Sequence, residues 1–163
     1  MYRTAYQKER VGDLQVYLCV GTQIVSPGQC VIRADAIPHE WKENLLSANG
    51  ADDYFLWLLL LGKEMEFGYI DKPLYTHKYT GENISASTEK TDASVLEFLP
   101  LLQKSGAFEV EEISLLRRMI TYKAAFRKGG AVTKILLSIK NFDIFFDNLI
   151  FKKRTKTPYG FNR

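Results

Sequence analysis

The stretch Gly50-Ala51-Asp52-Asp53-Tyr54-Phe55-Leu56-Trp57-Leu58-Leu59-Leu60-Leu61 sets two adjacent carboxylates against a run of large apolar side chains. Apolar residues fall on nearly every face of a helix from about Asp52 to Leu61, and Gly62 is suited to end it, so the pattern predicts a buried helix. A carboxylate beside buried surface costs free energy unless it is paired or used. The two acids therefore need an explanation.

Two roles are open for acids at the start of a helix. One carboxylate can cap the free backbone N–H groups and offset the helix dipole. Neighbouring helical residues point about 100° apart, so the other acid can project over the helix end. Backed by an apolar wall, it is well placed to act as a general base, and Gly50-Ala51 would let a substrate approach closely.

The segments around this helix predict strands first and helices later. Alternating or β-rich apolar runs, which are typical of strands, occur at residues 13–20, 23–25, 30–33, 66–70 and 74–79. Pro38 begins a short helix, and helical periodicity follows at residues 89–104, 109–128 and 131–151. The sequence therefore predicts an α/β fold.

Composition and charge restrict the class of protein. The chain of 163 residues is 46% apolar and 25% charged, which is typical of one globular domain or part of a larger one. Cys19 and Cys30 are too few for a disulfide framework and have no metal-ligand spacing, which favours a reducing, cytosolic compartment. Residues 113–163 contain 12 Lys or Arg and 2 Asp. This basic tail follows an acidic front, so the two parts are expected to meet different partners.

Four blocks of the chain carry a family resemblance. The run Asp52-Asp53-Tyr54-Phe55-Leu56-Trp57-Leu58 resembles the Glu/Asp-Asp-Tyr-x-Leu-Trp-Leu motif of family 2 glycosyltransferases, which have the GT-A fold. Residues 24–33, 66–75 and 80–85 are similar, in the same order and spacing, to the segments that flank this motif in the family. The resemblance covers roughly residues 12–88.

The resemblance implies a fold and a reaction. Residues 1–88 would be the C-terminal, acceptor-side part of a GT-A mixed sheet, and residues 89–163 a helical, basic C-terminal region. The implied reaction moves a sugar from a nucleotide-sugar donor to a glycan or lipid-linked acceptor, with inversion, in the synthesis of a bacterial surface polysaccharide or glycoconjugate.

The resemblance also implies roles for individual residues. Asp53 aligns with the catalytic base, and Asp52 with the acid beside it, which caps the helix and orients the base. Ser26, Gly28 and Gln29 would line the cleft near the transferred sugar, although the same residues also describe a plain tight turn.

Three further substrate-binding candidates each have an alternative. Trp57 would offer an aromatic face to a sugar, or would simply pack in the core. His77 would lie near the leaving diphosphate, but Thr80 occupies the position where relatives commonly have His, and a histidine in a strand is more often packed. Lys78 would steady the diphosphate through its charge.

The largest departure from the family is an absence from the sequence. GT-A enzymes hold a divalent cation, Mn²⁺ or Mg²⁺, and the donor diphosphate with an Asp-x-Asp motif, which occurs nowhere in these residues. A diphosphate leaving group needs such a cation or a cationic clamp. The complete enzyme is therefore expected to use a divalent cation that this chain does not hold, and the chain alone, as a fragment, is expected to be inactive.

The basic tail suggests a second partner. Residues 131–154 place apolar side chains at helical spacing among Lys134, Lys140 and Lys152-Lys153-Arg154. The helix either packs on the domain or lies on anionic lipid; no nucleic-acid module accompanies it. The expected location is cytoplasmic, peripheral on the inner face of the membrane. The alternative function is a non-catalytic interaction or membrane-binding module derived from a glycosyltransferase.

Overall fold

A computed structural model describes residues 4–24, 26–48, 50–76 and 87–156. Over these ranges the chain forms helices and no strand. Two 3-10 turns occur at Pro27–Gln29 and Ala34–Ala36. The α-helices are α1 Ala5–Glu9, α2 Leu14–Cys19, α3 His39–Glu43, α4 Asp52–Gly62, α5 Thr88–Lys104, α6 Val110–Lys128, α7 Ala131–Lys140 and α8 Phe142–Thr155.

The predicted α/β fold with a GT-A-like mixed sheet is therefore wrong for the described residues. The run at 13–20, predicted as a strand, is helix α2, and its residues from Val16 to Val20 are all buried. A short continuous apolar run does not distinguish a buried strand from a buried helix by periodicity alone. Here the helix satisfies the backbone hydrogen bonds within the segment, without a neighbouring strand.

The other predicted strands are irregular where they are described. Val31 is fully exposed, at 103% of its reference surface, and Ile70 and Leu74 are exposed as well. Backbone hydrogen bonds near the predicted turn are local: Lys72 N–H donates to the Ile70 carbonyl at 2.9 Å, and Leu74 N–H to the Lys72 carbonyl at 3.0 Å. Local bonds of this kind do not build a ladder. Val25, residues 77–79 and the loop at 80–85 lie outside the described residues.

The predicted helices are confirmed, with one change. Helices α3, α4, α5 and α6 lie where the sequence places them. The helix predicted over 131–151 is divided at Asn141, which is buried and whose Nδ2 donates to the Leu137 carbonyl at 3.0 Å. A side chain that bonds to the backbone of the preceding turn competes with a continuous helix. None of the helices in the described ranges is long and apolar enough to cross a membrane.

Helix α4 lies at the centre of the fold. Every residue from Tyr54 to Leu61 is buried, and the helix packs against α2, α3 and α5. The Phe55 ring stacks on Phe98 of α5 with centroids 5.1 Å apart. The buried helix predicted from the sequence is thus the core of the protein.

The C-terminal helices share this core with the first half of the chain. Ile113, Leu116 and Ile144 belong to the same buried cluster as α4. Asn148 of α8 is fully buried, and its Nδ2 donates to the carbonyl of Cys19 at the end of α2, at 2.8 Å. The boundary predicted at residue 88 therefore does not divide the hydrophobic core.

Candidate functional site

The segment that leads into α4 is held by helix α5. The Glu97 carboxylate accepts hydrogen bonds from the backbone N–H groups of Ser47 at 2.7 Å and Ala48 at 3.0 Å. Buried Ser94 accepts from the Ala51 N–H at 3.2 Å. Charge-assisted bonds to backbone N–H groups are among the stronger ones. The start of α4, with its two acids, is therefore fixed to a rigid element.

Gly50 serves packing rather than substrate approach. A Cβ at this position would lie 3.1 Å from the backbone nitrogen of Thr91 and 3.2 Å from the carbonyl carbon of Lys90, both in α5. Only glycine lets the two backbones come this close without a shift. The expectation that Gly50-Ala51 opens space for a substrate is therefore corrected: Gly50 faces α5, and Ala51 is buried.

Asp52 is the first residue of α4 and not its cap. The N-cap position belongs to Ala51, which makes no side-chain capping bond. The carbonyl of Asp52 accepts a hydrogen bond from Nε1 of Trp41, in α3, at 2.8 Å. The predicted capping role of Asp52 is therefore wrong, while its carboxylate in the first turn still suits the positive end of the helix dipole.

Asp53 carries the more unusual carboxylate. Its Oδ1 accepts a hydrogen bond from the backbone N–H of Tyr54 at 2.8 Å. Burial raises the pKa of Asp53 above its usual value; the Tyr54 bond opposes this, and the charge of Asp52 adds to it. A carboxylate with a raised pKa binds a proton more strongly. The Asp53 carboxylate is therefore suited to act as a base.

Cys30 lies close to Asp53 in space. Burial raises the pKa of the Cys30 thiol, and the negative charge of Asp53 raises it further. Cys30 directly follows the 3-10 turn Pro27–Gln29, and its N–H donates to the Pro27 carbonyl at 3.0 Å. The fold therefore brings the end of this turn within electrostatic range of the predicted base, over a separation in sequence that no local pattern reveals.

The turn itself rests on Tyr75. The hydroxyl groups of Ser26 and Tyr75 are 3.3 Å apart. A Cβ on Gly28 would lie 2.9 Å from the Tyr75 ring, so a larger residue there would require the exposed Tyr75 side chain to shift. Gly28 and Gln29 face solvent. The predicted cleft residues Ser26, Gly28 and Gln29 thus form an exposed turn beside a half-buried base, which agrees with a tight turn and leaves the cleft role a prediction.

Trp57 lies in the core. Only 1% of its surface is exposed, and its ring packs edge-on against Phe67 with centroids 6.4 Å apart. A buried ring has no face to offer a sugar, so the packed alternative describes Trp57. Its Nε1 is buried and has no hydrogen-bond partner among the described residues, which is an unusual and costly arrangement.

The remaining predictions concern two substrate-binding residues and a divalent cation. His77 and Lys78 lie outside the described residues. Within the described ranges, no group of His, Cys, Asp and Glu side chains could hold a metal ion.

Several residues of this site have no signal in the local sequence. Trp41, Ser94 and Glu97 fix the start of α4 from other helices. Tyr75 packs on the turn at Pro27–Gln29, and Cys30 interacts electrostatically with Asp53. The one hint is Trp41, because an indole N–H on a short polar helix usually requires an acceptor.

Comparisons of the whole chain with protein families, with curated proteins and with solved structures find no match.

Proposed function

We propose that the chain is the acceptor side of an inverting glycosyltransferase and that Asp53 is its general base. The observation that carries the proposal is the state of the Asp53 carboxyl: half-buried, raised in pKa by that burial, and held at the start of a rigid, fully packed helix. The sequence blocks that resemble family 2 glycosyltransferases support the same assignment. The proposal is limited to the reaction, because the described residues form helices and no GT-A sheet.

The proposed reaction at Asp53 is a proton transfer coupled to substitution. The carboxylate takes the proton from an acceptor-sugar hydroxyl while that oxygen attacks the anomeric carbon of the donor sugar. The new C–O bond forms as the bond to the diphosphate breaks, and the nucleoside diphosphate leaves with the electron pair. Attack from the face opposite the leaving group inverts the anomeric carbon. A raised pKa suits a base that must accept a proton in the transition state.

A purely structural role for the acids is the competing explanation. Acidic side chains in the first turn of a helix stabilise it by about 0.3–1 kcal/mol. That account fits Asp52. It fits Asp53 poorly, because a net rise in pKa means that the charged form is less favourable in the folded chain than in water.

The donor side of the reaction must come from elsewhere. A diphosphate leaving group requires a cation or a cationic clamp, and the chain has no Asp-x-Asp motif. We therefore propose that transfer requires a separate nucleotide-binding half, which supplies the divalent cation site, and that no step at Asp53 runs through a metal.

Two measurements test this function. Calorimetry of the 163-residue chain with a panel of UDP- and dTDP-sugars and Mn²⁺ is expected to show no binding; micromolar binding would contradict the assignment of donor recognition to another half. Transfer of labelled sugar to glycan acceptors is expected only when a nucleotide-binding half is expressed together with the chain. If the two proteins form a complex that binds donor but transfers no sugar, the proposed function fails.

A further inference from the structure

The last two helices of the described chain leave an apolar surface uncovered. Seven large apolar side chains of α7 and α8 each expose 45% or more of their surface: Val132, Ile135, Leu136, Ile139, Phe142, Phe146 and Leu149. We call this set the exposed stripe. Single exposed apolar residues are ordinary on proteins, but sets at helical spacing on two consecutive helices mark an interaction site.

In α7 the exposed stripe lies opposite the face that packs. Lys134, Leu137 and Ser138 face the protein: the Lys134 ammonium lies 5.4 Å from the Phe126 ring centroid, Leu137 packs on the core, and Ser138 is 3.5 Å from the Tyr122 hydroxyl. Residues 132, 135, 136 and 139 are spaced to fall on the other side of the helix. No residue of α7 is buried. The helix therefore has one face that contacts the protein and one apolar face that no described residue buries.

Helix α8 also has a packed face and an exposed apolar face, and here the packed face is fully buried. The buried residues are Ile144, Asn148, Phe151 and Thr155, which form a single face. Phe142, Phe146 and Leu149 form the opposite face, and the Phe142 and Phe146 rings stack with centroids 5.6 Å apart. Phe145 is different, because it packs against the core. The exposed aromatic pair of α8 is therefore Phe142 and Phe146.

The segment that carries the exposed stripe is rich in exposed basic residues. The exposed basic residues of this region are Lys128, Lys140, Lys152, Lys153, Arg154 and Lys156. The acidic residues of α8 are only Asp143 and Asp147, and Asp143 is paired with Arg118 at 2.7 Å. Lys153 falls on the same side of α8 as Phe142, Phe146 and Leu149, which gives the stripe a cationic end.

We propose that the exposed stripe binds an anionic lipid surface, with Phe142 and Phe146 inserted among the acyl chains and the lysines at the level of the headgroups. An amphipathic helix with aromatic residues on one face and Lys or Arg beside them is the form that lies in a membrane interface. A second copy of the chain is a poor occupant, because two surfaces of the same positive charge repel each other. The proposal uses only α7 and α8 and is independent of the proposed function.

The test is co-sedimentation of the 163-residue chain with phosphatidylcholine vesicles, with and without phosphatidylglycerol. Binding is expected only with the anionic lipid, and it should fall as salt rises from about 0.1 M to about 1 M, which shortens the Debye length from about 10 Å to about 3 Å. Phe142→Ser with Phe146→Ser should weaken binding by about tenfold or more, because two exposed rings lose their apolar environment. Lys152→Gln with Lys153→Gln should weaken it by about thirtyfold.

Matched controls separate the surface from general effects. Lys42 and Lys104 are also exposed and also lie in the last turn of their helices, and Val31 and Leu45 are exposed apolar residues elsewhere. Lys42→Gln with Lys104→Gln, and Val31→Ser with Leu45→Ser, should bind vesicles as the parent does. If the Phe142→Ser, Phe146→Ser chain has a lowered melting temperature, vesicle binding of the Ile135→Ser, Ile139→Ser chain is used as the test instead.

Three results would overturn the proposal. The first is no binding to anionic vesicles, whether or not the chain self-associates or captures another protein. The second is equal binding to neutral vesicles. The third is a loss in the control variants as large as in the stripe variants.

Discussion

Asp53→Asn is expected to lower the rate of sugar transfer by roughly 10²–10⁴-fold, the usual scale for a lost general base. The amide has the shape of the carboxyl and can still accept the Tyr54 N–H bond, but it cannot take a proton from the acceptor hydroxyl. Donor affinity should be unchanged, because the proposed function assigns the diphosphate to a separate nucleotide-binding half. The measurement is kcat and the donor KM in the transfer assay with the nucleotide-binding half present.

Asp52→Asn is the matched control, since it removes the adjacent carboxylate from the same helical turn. We expect it to retain most of the activity, because the Asp52 backbone carbonyl, which accepts from Trp41, is unchanged. Near-normal turnover of Asp53→Asn together with a large loss in Asp52→Asn would show that the base is the other acid. Near-normal turnover of both would remove the carboxylates from the mechanism.

Trp57→Ala is expected to lower the free energy of unfolding by about 3–5 kcal/mol, the range for truncating a large buried aromatic side chain. The ring is 1% exposed and packs edge-on against Phe67, so its removal leaves a cavity in the centre of α4. Small domains have only about 5–15 kcal/mol of stability, so the variant should be close to unfolding. Urea denaturation followed by circular dichroism measures the change.

Leu45→Ala is the control for this loss. Leu45 is 94% exposed, and surface substitutions of this kind change stability by about 0.5 kcal/mol or less. A Trp57→Ala chain as stable as Leu45→Ala, but impaired in binding a glycan, would mean that the indole faces the solvent and contacts sugar.

The helices were predictable because their signals are local. The apolar run of α4, the Gly129-Gly130 break and the start of α6 are all visible in the sequence. Glu109 and Glu112, at the start of α6, form the reciprocal bonds of a capping box. The division of α7 from α8 was not predicted, because it depends on the packing of Asn141 and not on a glycine or proline.

The strands were not predictable from periodicity, for two physical reasons. At α2 a continuous apolar run fits a buried helix as well as a strand, and only its contacts with α4, α6 and α8 decide. At residues 66–76 the composition is β-rich, but β-propensity measures how well side chains fit a half-buried sheet and does not by itself form one. No neighbouring strand is present among the described residues, so this segment remains irregular.

For the site, sequence could identify the carboxylates but not their environments. Asp52 and Asp53 are adjacent and chemically alike, so the sequence does not show that burial raises the pKa of Asp53 or that its Oδ1 accepts a hydrogen bond from the Tyr54 N–H. The supports Glu97 and Ser94 lie on α5, more than thirty positions away by residue number, and no spacing rule connects them to α4. Cys30 lies nearer to Asp53 in the sequence than Ser94 and Glu97 do, but no motif connects the two residues.

The central claim is that Asp53 is a carboxylate kept half-buried at a cost to stability, as a general base requires and a structural acid does not. An acid whose folded-state pKa is raised contributes stability below its usual pKa of 3.8, and that contribution is lost as pH rises through the folded-state value. The decisive measurement is the unfolding free energy of the parent chain and of Asp53→Asn between about pH 3 and about pH 7. The account predicts that Asp53→Asn is the more stable chain at neutral pH and that its advantage shrinks toward the acid end. An Asp53→Asn chain that is less stable than the parent at neutral pH would contradict it, because the carboxylate would then be serving the helix.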